Sequence, residues 1–289
     1  MKRVAVLGSG VVGRATGLGF LSKGHDVIFY DVQDVILKKL VTQGYDAKHI
    51  DFLDTNESDI FFFVISTPTE NEKINLTYMM SAAKTLGKKL RDRKDYFVIV
   101  VRSTVLPGTT ENIIVPIIEK ASNKKAGRDF GVSMNPEYLR EVNAEKDFKK
   151  PWVITIGTLD KKTKKIMGEV YKDFDCPIYY VSIKEAEMQK YVHNLYNATK
   201  IAFFNEMRLV SHCIGVQPDK IFEITADSAE AFWNKKYGLR NRGPFDGMCL
   251  PKDTQAFFSW SKKLKIKMNL LKGVIASNNI FESFWHKTK

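Results

Sequence analysis

The chain has 289 residues, of which 44% are hydrophobic and 27% are charged. This composition is sufficient for at least one sizeable core and excludes general disorder. No apolar run reaches transmembrane length, and the chain passes from Met1 almost at once into a glycine-rich segment, unlike a signal peptide. The three cysteines, Cys176, Cys213 and Cys249, are too widely spaced for a disulfide framework, so we expect a reducing, cytoplasmic location.

The formal net charge is +12. A basic protein can bind nucleic acid by displacing counterions from phosphate, but here the lysines and arginines are dispersed in short pieces. No homeodomain, zinc-finger or RNA-binding motif accompanies them. We therefore expect no nucleic-acid partner, no membrane partner and no metal ion, and we assign the charge to a solvated surface or to attraction of small anionic ligands.

Strands and helices alternate in the first part of the chain. A strand at 4–7, a glycine turn, a helix to about residue 23 and a strand at 26–31 form one βαβ unit. The later predicted elements are strands near 59–66, 96–101 and 130–133, helices at about 77–90 and after Pro107, and a last αβ pair within 151–181. This alternation predicts an α/β fold with a Rossmann-type, doubly wound, mainly parallel sheet.

The pattern changes at Ile183. Helical periodicity continues through one long helix, roughly Lys184 to Cys213, and a terminal helix is predicted to begin near Lys252. No strand pattern follows. We therefore predict an α/β domain over residues 1–182, and over residues 183–289 an α-helical domain with a long central helix.

The segment GSGVVG at residues 8–13 has the spacing GxGxxG between a strand and a helix, and the next strand ends in Asp31. Gly8 allows the tight turn, Gly10 lets the backbone approach a pyrophosphate, and Gly13 lets helix and strand pack closely. Asp31 can accept hydrogen bonds from ribose hydroxyls and would repel a 2′-phosphate, which favours NAD over NADP. The alternatives are FAD, or glycines that serve only the turn. The predicted cofactor contacts here are Gly8, Gly10, Val11, Val12, Gly13 and Asp31.

Two further segments, STPT at 66–69 and STVLPGT at 103–109, also follow apolar strands. The carboxyl ends of strands line the ligand crevice of an open α/β sheet. Thr67, Pro68 and Thr104 are therefore candidate contacts for the nicotinamide and the substrate. Ordinary helix caps would produce a similar pattern.

Cys249 lies in the segment MCLPKD, close to Lys252 and Asp253. A neighbouring ammonium group favours the thiolate form, so Cys249 is a candidate nucleophile. Cys176 and Cys213 lie in apolar surroundings and are expected to be buried packing residues.

Two groups of polar residues are candidates for acid–base work. Glu137, in NPEYLRE after a predicted strand, can act as a general base, or can merely be a helix N-terminal acid. Glu187, Lys190 and Asn194 share one face of the long helix, and the last two could donate to an oxyanion. Spacing alone favours a solvated ion pair between Glu187 and Lys190.

Taken in order, GSGVVG, STPT, STVLPGT, NPEYLRE, ExxKYVHN with KIAFFNE, and GMCLPKD resemble the motifs of the UDP-glucose/GDP-mannose dehydrogenase family over nearly the whole chain. The resemblance implies a nucleotide-sugar 6-dehydrogenase, in which one site oxidises the sugar C6 alcohol to a carboxylate with two NAD⁺. Residues 1–182 would then be the NAD-binding domain. The long helix resembles the family's dimerisation helix, so a homodimer is expected.

The resemblance also implies roles for individual residues. Cys249 would carry the thiohemiacetal and thioester, Lys190 and Asn194 would stabilise the C6 oxygen anion, and Glu137 would assist thioester hydrolysis. Asp253 would move protons through water with Thr104. Lys252 would contact the cofactor. The implied substrate contacts are Glu137, Tyr138, Leu139, Arg140, Glu141, Lys190, Asn194, Arg240 and Arg242.

Two features depart from the family pattern. The loop before Cys249 reads PFDGM where the family commonly ends in GGSC, which changes how a sugar would be seated. Family members also continue into a second Rossmann-like domain that contacts the nucleotide, and these 289 residues do not include it. The alternatives are a single-hydride dehydrogenase of the β-hydroxyacid type, which needs no thiol nucleophile, and an NAD-binding module without turnover.

Overall fold

A computed structural model describes residues 1–239, 243–246 and 248–288. The strands are β1 Arg3–Leu7, β2 Asp26–Asp31, β3 Ala47–His49, β4 Ile60–Phe63, β5 Thr69–Glu70, β6 Lys73–Ile74, β7 Phe97–Val101, β8 Phe130–Met134, β9 Ile154–Thr158 and β10 Ile178–Val181. The helices are α1 Val11–Leu21, α2 Asp34–Thr42, α3 Thr77–Lys89, α4 Val115–Ser122, α5 Ala144–Lys149, α6 Lys161–Val170, α7 Ile183–Cys213, α8 Pro218–Ser228, α9 Glu230–Trp233, α10 Leu250–Lys263 and α11 Asn269–Thr288. A π-helical turn, Thr110–Ile114, leads into α4.

Eight strands form one sheet in the order β10-β9-β8-β7-β4-β1-β2-β3. The six strands from β3 to β8 in this order run parallel, as expected when helical crossovers join them. At one edge β9 pairs antiparallel with β8, and β10 runs parallel to β9. The short strands β5 and β6 form a separate hairpin.

The sheet is covered on both faces because successive side chains of its buried strands point to opposite sides. In β1, Val4 and Val6 join a core cluster with residues of α1, α5 and α6, whereas Ala5 and Leu7 join a second cluster with residues of α3 and α4. Strand β4 divides its side chains between the two faces in the same way. The doubly wound fold predicted from the sequence is confirmed.

The chain divides into two compact units inside α7, Met1–His193 and Asn194–Lys289. In the described part of the second unit, all regular structure is helical. A small aromatic group forms where Phe204 contacts Phe222 and Phe232, with ring centroids 4.8 and 6.1 Å apart. The domain boundary expected between residues 182 and 183 stays a prediction. Among the described residues, no helix has both the length and the apolar character that a membrane span requires.

Candidate active site

A crevice of about 740 Å³ lies at the carboxyl ends of the parallel strands. All the cofactor contacts predicted in the GxGxxG segment line it, as do Asp31, Thr67 and Thr104. Its full lining is Leu7, Gly8, Gly10, Val11, Val12, Gly13, Tyr30, Asp31, Val32, Gln33, Ile36, Ile50, Val64, Ile65, Ser66, Thr67, Tyr78, Ser81, Ala82, Thr85, Arg102, Ser103, Thr104 and Glu137. The sheet therefore brings together segments that are far apart in sequence.

The three glycines of the fingerprint have distinct surroundings. Gly8 has a φ of +95°, and a Cβ there would lie 2.3 Å from the carbonyl oxygen of Val64. A Cβ on Gly13 would lie 1.9 Å from the carbonyl oxygen of Gly8, so α1 can approach β1 only without a side chain at this position. A Cβ on Gly10 would meet nothing within 4 Å. The space beside Gly10, at the N-terminus of α1, is open to the crevice.

The carboxylate of Asp31 is held by backbone N–H groups before any ligand arrives. Its Oδ2 accepts a hydrogen bond from the N–H of Ser9 at 2.6 Å. Its Oδ1 accepts from the N–H groups of Val32 and Gln33 at 2.8 and 3.0 Å. Asp31 lines the crevice at the end of β2, the position from which an acidic residue bonds to the adenosine ribose in dinucleotide-binding folds of this type.

The loops after β4 and β7 are tied to each other. The hydroxyl of Thr67 donates to the carbonyl oxygen of Thr104 at 2.9 Å, and the hydroxyl of Ser103 donates to that of Ile65 at 2.6 Å. Pro68 does not line the crevice; its carbonyl oxygen accepts from the N–H of Asn75 at 2.7 Å and so helps to close the β5–β6 hairpin. These hydrogen bonds join the two segments as walls of the crevice, and Thr109 at the end of the second segment is also the N-cap residue of the π-helical turn.

Glu137 and Lys190 form an ion pair in the first unit, and Glu137 lines the crevice. The ammonium group of Lys190 lies 2.9 Å from Oε1 of Glu137 and donates to the backbone carbonyl oxygen of the same residue. The side chain of Glu137 is only 16% exposed and that of Lys190 only 6%, so solvent screens this pair weakly. Oε2 of Glu137 accepts from the N–H of Leu139 at 2.6 Å, in an irregular segment rather than at a helix N-terminus.

Tyr138 packs behind this pair. Its hydroxyl bonds to Thr155 at 2.9 Å and to the side-chain oxygen of Gln189, and its ring lies 4.9 Å from that of His193. Burial raises the pKa of the Tyr138 hydroxyl. Burial, with the Lys190 ammonium as a further cause, lowers the pKa of His193. Both side chains are therefore neutral near pH 7.

The solvated ion pair between Glu187 and Lys190 that spacing alone favours is wrong. Glu187 is fully buried, and its carboxylate accepts hydrogen bonds from the N–H groups of Gly108, at 2.5 Å, and Thr110, at 2.8 Å. Lys190 is 5% exposed and pairs with Glu137 instead. The sequence prediction fails because both partners come from loops of the sheet rather than from the helix itself.

The other implied substrate contacts are placed as follows. Arg140 forms an ion pair of 2.7 Å with the buried Asp147 and lies over the ring of Trp152, 5.0 Å from its centroid. The hydrogen bond from Arg140 lowers the pKa of Asp147. Glu141 begins a short 3₁₀ turn, and its side chain lies outside the described part of the structure. Arg240 and Arg242 also lie outside the described residues.

In the second unit, Cys249 is exposed and occupies the N-cap position of α10. Its carbonyl oxygen accepts the N–H of Asp253 at 2.9 Å, and Lys252 bonds to the Asp253 carboxylate at 2.6 Å. Asn194, on α7, is exposed. Cys249 therefore stands on the surface of its unit with a cation and a carboxylate within one helical turn.

Of the other two cysteines, both predicted to be buried, one is partly buried and the other is exposed. Cys176 is partly buried against the core, and burial raises the pKa of its thiol. Cys213 is exposed at the end of α7, so its expected packing role is wrong. Its apolar neighbours in sequence do not enclose it: Leu209, Ile214 and Val216 are exposed as well, and only Val210 is buried.

Sequence reasoning missed several parts of the crevice wall, among them Arg102 and one face of α3. Arg102 directly follows the fully apolar strand β7, and its guanidinium group bonds to Asn135 on the next loop. A charged residue at the carboxyl end of a buried strand would have indicated this position. On α3, the residues Tyr78, Ser81, Ala82 and Thr85 line the crevice. Their spacing of three and four places them on one face of the helix. Once the preceding loop is assigned to the crevice, this spacing predicts that the same face lines it.

The crevice fits NAD. Open space beside Gly10 and the uncapped N-terminus of α1 suit a pyrophosphate, because the first helical N–H groups have no partner within the helix. The fixed carboxylate of Asp31 suits the ribose diol and disfavours a 2′-phosphate. Thr67 and Thr104 line another part of the same crevice, where the sequence predicts contacts to the nicotinamide.

Comparison with known proteins gives the same assignment. Residues 2–175 match the NAD-binding domain of the UDP-glucose/GDP-mannose dehydrogenase family, and residues 184–280 match its central domain. GDP-mannose 6-dehydrogenase of Pseudomonas aeruginosa is 34% identical over 96% of this chain, which covers 68% of that protein. A UDP-glucose 6-dehydrogenase of Haloferax volcanii is 30% identical over 96% of this chain and 69% of its own length.

Solved structures agree. The ternary complex of GDP-mannose dehydrogenase from Pseudomonas aeruginosa superposes with a TM-score of 0.90 at 31% identity, covering 97% of this chain and 69% of that chain. A UDP-glucose dehydrogenase from Pyrobaculum islandicum gives a TM-score of 0.74 at 31% identity, covering 97% and 68%. The expected NAD cofactor is confirmed by the match to the family's NAD-binding domain. The chain belongs to the UDP-glucose/GDP-mannose dehydrogenase family and is an NAD-dependent oxidoreductase of the nucleotide-sugar 6-dehydrogenase type.

Proposed function

We propose that this chain oxidises the C6 alcohol of a nucleotide sugar to a carboxylate in two steps at one site, through a thiohemiacetal and a thioester on Cys249. The observation that carries the proposal is the Glu137–Lys190 pair at the crevice wall, within a chain that retains an exposed cysteine at the start of α10. Acid, ammonium and thiol are the groups that such an oxidation needs.

NAD⁺, when bound, accepts a hydride from C6 in each of the two oxidations. In the first, Lys190 and Asn194 donate hydrogen bonds to the C6 oxygen and stabilise its developing negative charge. Thr104 and Asp253 order the water that takes the hydroxyl proton. The alcohol thereby becomes an aldehyde.

In the second oxidation the sulfur of Cys249 adds to the aldehyde carbon, and the oxygen gains a proton, which gives a thiohemiacetal. Loss of the remaining C6 hydride to NAD⁺ and of the hydroxyl proton to water gives a thioester. Glu137 then takes a proton from water, the water oxygen adds to C6, and the carbon–sulfur bond breaks to return the thiol. In sum, one alcohol, two NAD⁺ and one water give one carboxylic acid, two NADH and two protons.

The first substrate that we propose is GDP-mannose, with UDP-glucose second. The support is that the relative with 34% identity and the structure with a TM-score of 0.90 are both GDP-mannose dehydrogenases. The sugar's nucleotide would be held in part by the segment 137–141 and by Arg240 and Arg242. The chemistry needs a reduced thiol, which suits the cytoplasm.

We further propose a homodimer built on α7 in the domain 183–289. The support is that α7 leaves several large apolar side chains exposed, among them Leu195, Ile201 and Leu209. Apolar surface of this extent on a helix favours association. Light scattering of the purified chain would give the mass; a monomer at micromolar concentration would contradict the dimer.

The function is tested by mixing the purified chain with NAD⁺ and a panel of GDP- and UDP-sugars and counting NADH per product. Two NADH per acid supports the proposal. One NADH per product supports a single-hydride dehydrogenase, and tight NAD⁺ binding without turnover supports a binding module. Cys249→Ser should abolish acid formation, whereas Cys213→Ser, an exposed cysteine outside the site, should not. Unchanged acid formation by Cys249→Ser removes the thioester from the mechanism.

A further inference from the structure

The first turns of α7 contact two different crevice loops. Glu187 accepts the N–H groups of Gly108 and Thr110, in the loop that follows β7 and carries Thr104. Lys190, one turn later, is bonded to Glu137 in the loop that follows β8. Both contacts are within the first unit, and both α7 side chains are at most 5% exposed.

These contacts continue a chain of hydrogen bonds across the crevice. The loop after β4 is joined to the loop after β7 by the Thr67–Thr104 bond. The loop after β7 is joined to α7 by Glu187, and α7 to the loop after β8 by Lys190. Glu187 is therefore one connection between the walls around the cofactor and the Glu137–Lys190 pair; the bond from Arg102 to Asn135 is another, between the loops themselves.

A carboxylate is the group that this position requires. A fully buried charge is costly unless it is satisfied, and Glu187 receives two charge-assisted bonds from amides at the start of the helical stretch that runs into α4. The amides of Gly108 and Thr110 need acceptors in turn. Gln at 187 would keep the size of the side chain but would turn an NH₂ group toward one of these N–H donors.

We infer that Glu187 is a positioning residue, which fixes the distance between the nicotinamide end of the crevice and the Glu137–Lys190 pair. The inference rests on the proposed function, because that pair must act on the substrate. Misplacement of reacting groups by about 1 Å can cost about 100-fold in rate. Loss of Glu187 should therefore slow hydride transfer while leaving the binding surface around Gly8–Gly13 and Asp31 intact.

The test compares Glu187→Gln with Glu185→Gln. Glu185 is an exposed glutamate at the start of the same helix. Its carboxylate accepts a hydrogen bond from the N–H of Ser182, just before the helix begins. Glu187→Gln should keep NAD⁺ affinity near the wild-type value and lower kcat by about 10- to 100-fold. It should also raise the primary isotope effect with sugar deuterated at C6, because the hydride step becomes slower relative to the others.

Glu185→Gln should retain wild-type kcat and isotope effect. If Glu187→Gln retains the wild-type kcat, or loses activity only in proportion to the fraction unfolded with an unchanged isotope effect, the positioning role is refuted.

Amide hydrogen exchange separates failure of this inference from failure of the proposed function, because it needs no turnover. Glu187→Gln should speed exchange both in the segment 104–112 and in the segment 135–139, since the two are coupled through α7. Faster exchange in 104–112 alone would show that Glu187 stabilises only the loop whose N–H groups it accepts, and would overturn the inference. If the wild-type chain oxidises no nucleotide sugar, the proposed function fails, and this exchange pattern still decides whether Glu187 couples the loops.

Discussion

Lys190 reaches across from α7 to hold Glu137 by two of its oxygen atoms, the backbone carbonyl and Oε1. The pair lies close to the crevice, where in the proposed mechanism the Lys190 amine donates to a substrate oxygen and the Glu137 carboxylate receives a proton. A buried pair of this kind is stabilising only while both members are present.

Lys190→Met should lower kcat by about 100- to 1000-fold through loss of oxyanion stabilisation. It should also lower the free energy of unfolding by about 3 kcal/mol, because Glu137 is left largely buried without its cation. The double variant Glu137→Gln, Lys190→Met should regain part of that stability but none of the activity. Urea unfolding and steady-state kinetics measure the two effects.

The control is Lys184→Met, an exposed lysine on the same helix, which should leave kcat and stability near wild type. Additive losses of activity in the double variant would mean that Glu137 and Lys190 act independently.

Substitution by alanine should affect different properties at Gly10 and Gly13: NAD⁺ affinity at Gly10 and stability at Gly13. Gly13→Ala should lower the free energy of unfolding by about 3 kcal/mol, because its Cβ would overlap the carbonyl oxygen of Gly8. Gly10→Ala should change it by less than about 1 kcal/mol, since the new methyl group meets no protein atom. That methyl group would instead occupy space next to the pyrophosphate, so NAD⁺ affinity should fall by about tenfold, or 1.4 kcal/mol. Thermal unfolding and calorimetric titration distinguish the variants; an unchanged affinity in Gly10→Ala would place the pyrophosphate elsewhere.

Much of the fold could be predicted from the sequence, because the buried strands are short apolar runs bounded by turns. The predicted strand at 4–7 and the long helix beginning near Lys184 differ from the structure by one residue each. The sequence pattern leaves several short elements unassigned, among them β3, whose three residues are all half-buried. The antiparallel pairing of β9 also gave no sequence pattern, since edge pairing is decided by tertiary contacts.

The site could be predicted only in part. Motif positions followed from the rule that strand ends meet at one edge, which brought Gly8, Thr67 and Thr104 to one crevice. Partners could not be predicted, because Lys190 and Glu137 are 53 residues apart in sequence and spacing on a helix offered Lys190 a nearer carboxylate in Glu187. The positions of the sheet loops decide that Glu187 is buried against backbone N–H groups and that Glu137 pairs with Lys190.

Asn278 should protect the backbone of Phe245, a few residues before Cys249, from local opening. Its side-chain amide accepts the N–H of Phe245 at 2.7 Å and donates to the carbonyl oxygen of the same residue at 3.0 Å. Asn278→Ala should make exchange of the Phe245 amide about 30-fold faster, since two bonds worth about 1 kcal/mol each are lost. Asn279→Ala, at the exposed neighbouring position, should leave that exchange unchanged. Equal exchange rates in the two variants would show that the loop is held by other contacts.

Stability should fall in mild acid because of His25. Burial lowers the pKa of His25, whose Nδ1 accepts the N–H of Lys2 and whose Nε2 faces the carbonyl oxygen of Val170, so the folded state holds a neutral ring. As the pH falls through the unfolded value of about 6.5, the unfolded chain takes up a proton that the folded chain does not. The free energy of unfolding should therefore decrease below that pH.

His25→Gln should flatten this pH dependence in urea unfolding measured at neutral and mildly acidic pH, whereas His212→Gln, at an exposed position, should preserve it. An equally steep dependence in His25→Gln would assign the acid sensitivity to other groups.

The three amides that hold Asp31 bear on any change of cofactor preference. Replacing Asp31 with a small neutral residue would remove the repulsion of a 2′-phosphate, but it would also deprive Ser9, Val32 and Gln33 of their common acceptor. The carboxylate that is predicted to select NAD over NADP therefore also stabilises the turn around it. Conversion to NADP⁺ use therefore requires a second substitution that restores an acceptor for the loop, and single substitutions at this site are constrained by folding as well as by binding.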